Sequence, residues 1–596
     1  MHRLTVRFAI LAAVALAGCA SSPSPMFEEY FEETLRLSPI TATFIGDNRY
    51  NDRFDNPADR EYLARLKALD ERFLAKARSF DAARLDPDSR LSLEVFVRDR
   101  SLFLEGFRFP GELLPIDQMN SLASLFAVLG SGTGAHPFAT VKDYEDFLAR
   151  SKDYIAWSDA AIERMREGVQ RGVTQPRIVM PKVVAQLRGV LADDPEKTIF
   201  WQAVKSMPES IGEPDRSRLT DAYRRAIRDE ILPSYRRLAD FIEKEYTPAA
   251  RTTVGWSALP DGTAWYALQM RISTTTDMSP DEIHALGLSE VARIRGEMDG
   301  VKRAVGFQGD LHAFFKHLEN DPTQYFATSE EVVAGYTALK QRIDALLPTL
   351  FSDFPKADYE VRAVEAFRAA SSAGAFYQRP SADGKRPGIF YVNTHNLKAQ
   401  PKYGMETLSL HEAAPGHHFQ IAIQQELTDL PRFRRFGFNV AYGEGWALYA
   451  ESVGKELGLF TDPYQWYGRL QDEMLRAMRL VVDTGLHTKG WSREQAIAYM
   501  LDNSSMAESD VIAEVERYIV TPAQALGYKV GQLRISAMRA KAEAALGPRF
   551  DVKAFHSEVL RDGALPMAVL EGKIDRWIAA RVAAGPTMSS QSSSAK

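Results

Sequence analysis

The sequence predicts a mainly α-helical protein, and three observations favour this fold class. Residues 61–80 (EYLARLKALDERFLAKARSF) and 221–246 (DAYRRAIRDEILPSYRRLADFIEKEY) place apolar residues at intervals of three and four, which is the period of amphipathic helices. The charged residues between them suit the solvent-facing side. Strand signals are few, and the best is the aromatic and β-branched segment GIFYVNT at residues 388–394.

Local chemistry predicts the N-terminus of one helix. Ser279 suits the N-cap, Pro280 suits the first helical position, and Asp281 and Glu282 place negative charge near the positive end of the helix dipole. We therefore expect a helix to begin at this point.

The N-terminus carries the features of an exported protein. Residues 1–18 contain two arginines followed by the apolar run AILAAVALA, which is too short to span a bilayer and predicts a signal peptide. Leu-Ala-Gly-Cys, ending at Cys19, is similar to the lipobox of bacterial lipoproteins, in which the cysteine is lipidated. We expect residues 19–25 to form the lipidated cysteine and a short tether. Ala20 favours the outer membrane, facing the periplasm.

No linker divides the rest of the chain. We expect one large domain over residues 26–585 and a disordered, serine-rich tail over residues 586–596. The sequence specifies no oligomeric state.

Several function classes are excluded by composition. The formal net charge is −6, and no long basic run is present, so we expect no nucleic-acid partner. Cys19 is the only cysteine, which excludes a cysteine nucleophile, and the chain has no G-x-S-x-G nucleophile elbow. GSGTGAH at residues 130–136 lacks the ending of a phosphate-binding loop and predicts a surface loop.

The most informative segment is HEAAPGHH at residues 411–418. Two histidines, a carboxylate and a nearby general base are what a catalytic zinc ion requires. The familiar pattern is HExxH, and here Pro415 occupies the fifth position. On a straight helix His417 would lie about 240° around from His411, and His418 about 10.5 Å along the axis.

A distorted helix would remove this conflict. Pro415 deletes a helix hydrogen bond and Gly416 permits conformations closed to other residues. A bulge at these two residues shortens the register by two and brings His417 to the position of the second ligand, with His418 as the alternative. Glu412, beside the first ligand His411, is then placed to act as general base.

A third ligand is predicted on a second helix. EGWALYAE at residues 444–451 places Glu444 and Glu451 on one helix face. We expect Glu444 to bind a single Zn²⁺ per chain and Glu451 to orient a ligand histidine. The alternative is an amphipathic helix whose two glutamates face water.

Five motifs carry a family resemblance. They are HEAAPGHH, EGWALYAE, DTGLH (483–487), ERYIVTPAQALGYKVGQ (516–532) and FHSEVLRDGALP (555–566). Together they resemble the bacterial family named domain of unknown function 885, and the resemblance covers nearly all of the chain after the tether. That family is grouped with the glutamate-zincins, which include angiotensin-converting enzyme and the thimet-type oligopeptidases.

The resemblance implies a fold and a function. The fold would be a two-lobed, zincin-like helical body with a deep groove, and a small sheet would place GIFYVNT as an edge strand along that groove. The function would be zinc-dependent hydrolysis of peptides, with membrane contact through the N-terminal lipid only. Two alternatives remain: a zinc hydrolase of a non-peptide amide or ester, and a non-catalytic envelope lipoprotein that binds peptides.

Chemistry and resemblance together suggest further site residues. Tyr528 would donate a hydrogen bond to the oxyanion, unless it is a core tyrosine. His487 would be a second donor, oriented by Asp483. Arg517 and Lys529 would hold a substrate carboxylate, with a structural ion pair as the alternative for each.

Overall fold

The computed structural model describes residues 22–364, 369, 373–380 and 387–584. Within these ranges the protein is mainly α-helical with one small sheet, so the predicted fold class is confirmed. The predicted signal peptide, Cys19 and the C-terminal tail lie outside the described residues. Among the described helices, none is long and apolar enough to cross a membrane.

The helices before the sheet run from α1 to α15, and α1 begins at Ser24, within the segment predicted as a tether. They are α1 (Ser24–Leu37), α2 (Pro39–Phe44), α3 (Arg60–Arg78), α4 (Pro87–Gly106), α5 (Leu122–Leu129), α6 (Val141–Arg171), α7 (Met180–Gly189), α8 (Trp201–Lys205), α9 (Glu213–Ala226), α10 (Leu232–Phe241), α11 (Thr247–Ala249), α12 (Gly262–Thr274), α13 (Pro280–Ala304), α14 (Leu311–Asn320) and α15 (Ser329–Leu346).

The sheet and the remaining helices complete the chain. They are β1 (Tyr359–Ala363), β2 (Ala375–Gln378), β3 (Gly388–Val392), α16 (Met405–Glu412), α17 (His417–Glu426), α18 (Arg432–Arg435), α19 (Val440–Ser452), α20 (Pro463–Thr488), α21 (Arg493–Asn503), α22 (Glu508–Val520), α23 (Leu526–Leu546), α24 (Val552–Leu560) and α25 (Met567–Ala583).

The predicted helix start at Ser279 is confirmed in detail. Its hydroxyl accepts a hydrogen bond from the N–H of Glu282 at 3.3 Å, and the Glu282 carboxylate accepts one from the N–H of Ser279 at 2.8 Å. This reciprocal pair is a capping box, which satisfies two N–H groups that the first turn of α13 would leave unpaired.

The sheet corrects one expectation. Its order is β1–β3–β2, with β3 parallel to β1 and antiparallel to β2. GIFYVNT therefore supplies the central strand, not the edge strand that we expected. The physical reason is that every residue of β3 is buried, and a continuous apolar run is typical of a strand covered on both faces.

The hydrophobic core consists of two main clusters. The first lies among α5–α10, α13, α14 and α20–α22, and the second among α15, β1, β3, α16, α17, α19 and α23–α25. The clusters meet where α16 packs against both α19 and α20. The deep groove between two lobes stays a prediction.

Two glycines allow α19 and α23 to cross with their backbones in contact. A Cβ atom on Gly531 would lie 1.9 Å from the carbonyl oxygen of Ala441, and one on Gly445 would lie 2.6 Å from Cα of Gly531. Both distances are too short for any side chain. The crossing therefore fixes Glu444 of α19 relative to Tyr528 of α23.

The close crossing predicts a strong effect of a single methyl group. Gly531→Ala should lower the free energy of unfolding by about 1–3 kcal/mol, because overpacking forces the two helices apart. Urea denaturation measures this change. Gly296→Ala in α13 is the matched control, since nothing lies within 4 Å of the added Cβ, and it should be neutral or stabilising. Equal effects of the two substitutions would contradict the close contact.

Candidate metal centre

The motif HEAAPGHH forms two helices joined by a tight link. α16 ends at Glu412, α17 begins at His417, and the Ala414–Pro415 peptide bond is cis. We expected a bulge in a continuous helix, and the structure has a complete break instead. The N–H of Phe419 donates to the carbonyl of Ala413 at 3.3 Å, spanning six residues where an α-helix spans four. The two-residue excess was thus predicted correctly, whereas the continuity of the helix was not.

Two contacts hold this link in place. A Cβ on Gly416 would lie 2.0 Å from the carbonyl oxygen of His411 and 2.3 Å from that of Leu410, so only glycine fits. From the neighbouring helix, Trp446 Nε1 donates to the carbonyl of Pro415 at 2.7 Å. The link is therefore fixed both to the end of α16 and to α19.

The break brings three side chains to one point. The nearest ligand atoms of His411, His417 and Glu444 all lie within 4.8 Å of one another. Glu444 Oε2 lies 3.7 Å from His411 Nε2 and 3.3 Å from His417 Nε2. The two imidazole rings stand nearly perpendicular, with centroids 4.8 Å apart. Two imidazole nitrogens and a carboxylate oxygen thus face a common space.

Glu451 orients the first histidine. Its Oε1 lies 2.8 Å from Nδ1 of His411, and its Oε2 accepts a hydrogen bond from the hydroxyl of Thr407 at 3.0 Å. Because Nδ1 donates to Glu451, Nε2 of His411 is left to face Glu444. A carboxylate behind a ligand histidine is the usual support of a zinc site.

The charges of the cluster call for a cation. Burial lowers the pKa of His411, but the nearby carboxylates of Glu444 and Glu451 outweigh it and raise the pKa to about 9. Burial raises the pKa of Glu444, yet His417 and His411 hold that pKa well below its usual value. Glu444 Oε2 and His417 Nδ1 are buried without a hydrogen bond to any described group. A divalent cation fits this donor set, and two histidines with one glutamate suit zinc.

Glu412 and His418 take different positions. Glu412 is half-buried at the end of α16, and its charge helps to raise the pKa of His411. The carboxylate of Glu412 makes no hydrogen bond or ion pair with the other described residues. His418 turns towards the sheet, where its Nδ1 lies 3.0 Å from the hydroxyl of Tyr377. Burial lowers the pKa of His418 to about 4. The structure therefore places His417, and not His418, beside His411 and Glu444.

A family model described as "Bacterial protein of unknown function (DUF885)" matches residues 39–574. The chain belongs to the DUF885 family. No curated protein matches it.

Two solved structures are similar to this DUF885 chain. A crystal structure of "the putative lipoprotein from Colwellia psychrerythraea" is 29% identical, covers 94% of this chain and 98% of that one, and superposes with a TM-score of 0.88. "A putative lipoprotein of unknown function from Shewanella oneidensis" is 18% identical, covers 93% and 99%, and has a TM-score of 0.73. The second likeness concerns the fold alone.

Tyr528 of the DUF885 chain lies near the cluster. The guanidinium carbon of Arg479 lies 4.5 Å from the centroid of its ring. Burial and the charge of Glu444 raise the pKa of Tyr528, so the phenol lies within electrostatic reach of the candidate ligand. Its role as a hydrogen-bond donor stays a prediction.

His487 and Asp483 require correction. His487 is fully buried, Nδ1 accepts from the N–H of Trp256 at 3.1 Å, and Nε2 lies 3.0 Å from the carbonyl of Tyr518. Both ring nitrogens are therefore engaged, and His487 has no group left for an oxyanion. Asp483 accepts from Tyr266 at 2.6 Å and from the N–H of Ala523 at 3.0 Å, and does not orient His487.

Of the two interpretations of Lys529, the structure supports the ion pair, whereas the contact of Arg517 with substrate stays a prediction. Lys529 is fully buried, and its ammonium lies 2.6 Å from Glu473 and 2.9 Å from Glu290. These ion pairs make it a structural residue. Arg517 donates to Glu514 at 3.2 Å and to Gln524 at 2.6 Å, and its side chain is partly exposed.

The sequence interpretation missed Arg479, which lies against Tyr528. Its signal was present in LRAMRLVV at residues 475–482, where two arginines interrupt an otherwise apolar helix. Charged residues are rarely buried without a partner. Such an interruption therefore indicates either an internal ion pair or a binding site.

Asp483 provides a test of the corrected role. Burial raises its pKa to about 7, against about 3.9 in an unfolded chain. Between these pH values the folded protein holds the proton that the unfolded chain releases, so this carboxyl makes stability fall as pH rises. The free energy of unfolding of Asp483→Asn, relative to that of wild type, should therefore be higher at pH 7.5 than at pH 4.5.

Urea denaturation at the two pH values measures this difference. The exposed substitution Asp353→Asn is the control for the change to an amide. If Asp483→Asn changes the free energy of unfolding by the same amount at both pH values, the assigned environment of Asp483 is contradicted.

Proposed function

We propose that this protein is a zinc-dependent peptidase whose metal is bound by His411, His417 and Glu444. The observation that carries the proposal is the convergence of these three side chains within 4.8 Å, next to Glu412, whose carboxylate makes no hydrogen bond with the described residues. Glu451 supports the first ligand, as it would in a zinc site.

The residues divide the chemical work as follows. Bound zinc would act as a Lewis acid and lower the pKa of a coordinated water. Glu412 would accept a proton from the attacking water and pass it to the leaving amine. Tyr528 would donate a hydrogen bond to the oxygen of the scissile carbonyl as its charge develops.

Glu412 favours catalysis over simple binding. The carboxylate of Glu412 makes no hydrogen bond or ion pair with the described residues, so it is free to accept a proton. A protein that only bound peptides would not need a base at this point. This supports hydrolysis rather than a non-catalytic lipoprotein.

Peptides are favoured as substrates by two features. The motifs HEAAPGHH and EGWALYAE resemble those of glutamate-zincins. In addition, Arg479 lies against the ring of Tyr528 and shares Glu514 with Arg517, so the two guanidinium groups suit the carboxylate of a peptide end. Mass spectrometry of a peptide-library digest, run beside a panel of non-peptide amides and esters, would separate the two substrate classes.

The cellular location is part of the same proposal. Lipidation of Cys19 would anchor the protein in the bacterial envelope, with outer-membrane attachment on the periplasmic side favoured by Ala20. The similar structure described as the putative lipoprotein from Colwellia psychrerythraea supports this anchoring.

The general base gives the first functional prediction. Glu412→Gln keeps the shape of the side chain but cannot accept a proton, so peptide cleavage should fall by at least about 100-fold. The zinc content should stay at one ion per chain, because Glu412 is not a ligand. Full activity in this variant would overturn the mechanism.

The ligands and their support give the second prediction. His411→Ala should abolish stoichiometric zinc, whereas Glu451→Gln should weaken zinc binding by about 10–100-fold through loss of the support to His411. Elemental analysis and competition with a chelator measure the two effects. The exposed His312→Ala is the control and should bind zinc like the wild type. Equal zinc content in His411→Ala and wild type would overturn the site.

A further inference from the structure

Arg479 of α20 has one hydrogen-bonding group without a partner in the part of the chain that the structure describes. The residue is only 5% exposed. Its Nε donates to the hydroxyl of Tyr518 at 3.1 Å and its Nη2 to Glu514 at 3.0 Å, whereas Nη1 is buried and has no partner among the described residues. A buried donor left unpaired costs about 1–3 kcal/mol, so a missing partner is expected.

This terminal nitrogen distinguishes Arg479 from the other buried arginines with an unpaired group. In Arg434, Arg469 and Arg476 the buried nitrogen without a partner among the described residues is Nε, which lies closer to the backbone than the terminal nitrogens. Nη1 lies at the tip of the guanidinium, where it can donate to an incoming acceptor.

The location of Arg479 connects it to the candidate metal centre. Its guanidinium carbon lies 4.5 Å from the ring centroid of Tyr528, and Tyr528 in turn lies within electrostatic reach of Glu444. Tyr528 lies on α23, three residues before Gly531, whose backbone contacts Gly445 beside Glu444. Arg479 is therefore connected through Tyr528 to the helix crossing that carries a candidate metal ligand.

The local charges leave a positive excess. Arg479 and Arg517 both pair with the single carboxylate of Glu514, at 3.0 Å and 3.2 Å. The next arginine along α20, Arg476, is paired with its own partner Asp472 at 3.3 Å. One positive charge in a largely buried cluster is thus uncompensated, and an anionic ligand would neutralise it.

We propose that Arg479 binds the C-terminal carboxylate of the substrate peptide and thereby determines which substrates are cleaved. A guanidinium matches the planar geometry of a carboxylate, and the pairing is stronger than a neutral hydrogen bond. Arg517 adds positive charge from the other side of Glu514. The inference rests on the proposed peptidase function and gives it a substrate class: short peptides cleaved near a free C-terminus.

The test compares peptides that differ only at their end. One peptide is made as the free acid and as the C-terminal amide, each ending in Ala or in Asp. Wild type should cleave the free acid ending in Ala with a kcat/KM about 10–100-fold above that of its amide, the range expected for a charged hydrogen bond. In Arg479→Met the ratio should fall to about one.

Two lysine variants control for folding and charge. Arg479→Lys keeps the positive charge but loses the Nη1 donor, so it should retain only part of the preference for the free acid. Arg150→Lys removes a guanidinium from another fully buried position, where it bonds Thr43 and the carbonyl of Arg53, and it should keep the full preference. The readout is the ratio of kcat/KM for the free acid to kcat/KM for the amide. A general loss of activity lowers both values and leaves this ratio unchanged.

Other outcomes separate the inference from the proposed function. Equal cleavage of acid and amide by wild type, or an unchanged preference in Arg479→Met, would overturn the inference and leave the peptidase intact. Efficient, Arg479-dependent cleavage of the amide ending in Asp would assign the site to acidic side chains instead of the C-terminus.

If wild type cleaves no peptide at all, the proposed function fails, and binding then decides the inference. Isothermal titration calorimetry of wild type and Arg479→Met would compare the free-acid and amidated peptides. Tighter binding of the free acid by wild type alone supports the carboxylate site, whereas equal affinities overturn it.

Discussion

The backbone of Gly416 lies against the carbonyl groups of Leu410 and His411, at a distance where no side chain would fit. This contact determines how the chain turns between α16 and α17, and thus where His417 points. The hydrogen bond from Trp446 to Pro415 then joins the turn to α19, the helix that carries Glu444. One steric contact and one hydrogen bond therefore decide whether two histidines and a glutamate meet. The other elements mainly keep these three backbone segments in register.

Electrostatics favours the same arrangement of side chains. Glu444 and Glu451 are both largely withdrawn from water, and two carboxylates in such a position repel each other unless positive charge lies between them. His411 bridges them, with one ring nitrogen towards each. A metal ion would strengthen this bridge. Next to Tyr528 the balance is reversed, because Arg479 and Arg517 share the single carboxylate of Glu514. Carboxylates thus dominate around His411, and guanidinium groups dominate around Glu514.

The sequence predicted features that depend on local chemistry, and failed where tertiary partners decide. Helix periodicity and the capping box at Ser279 are local, and the two-residue excess at Pro415 and Gly416 follows from backbone chemistry alone. The role of His487 was predicted wrongly, and Lys529 was left between a substrate contact and a structural ion pair. Nothing in their neighbouring residues reveals Trp256 or Glu473 as partners. β3 was placed at the edge although its continuous apolar run indicated a central strand. Arg479 was missed because its burial and its unpaired Nη1 depend on tertiary contacts, which the sequence does not show.

The crossing of α19 and α23 has a consequence for how the site can vary between related proteins. Where two helices touch through Gly445 and Gly531, no side chain acts as a spacer, so substitutions in the surrounding core cannot gradually change the distance between Glu444 and Tyr528. The two residues behave as parts of one rigid frame. Diversity in substrate preference would then arise from residues outside this frame, such as those on α20 and α22, while the geometry at the reacting carbonyl stays constant.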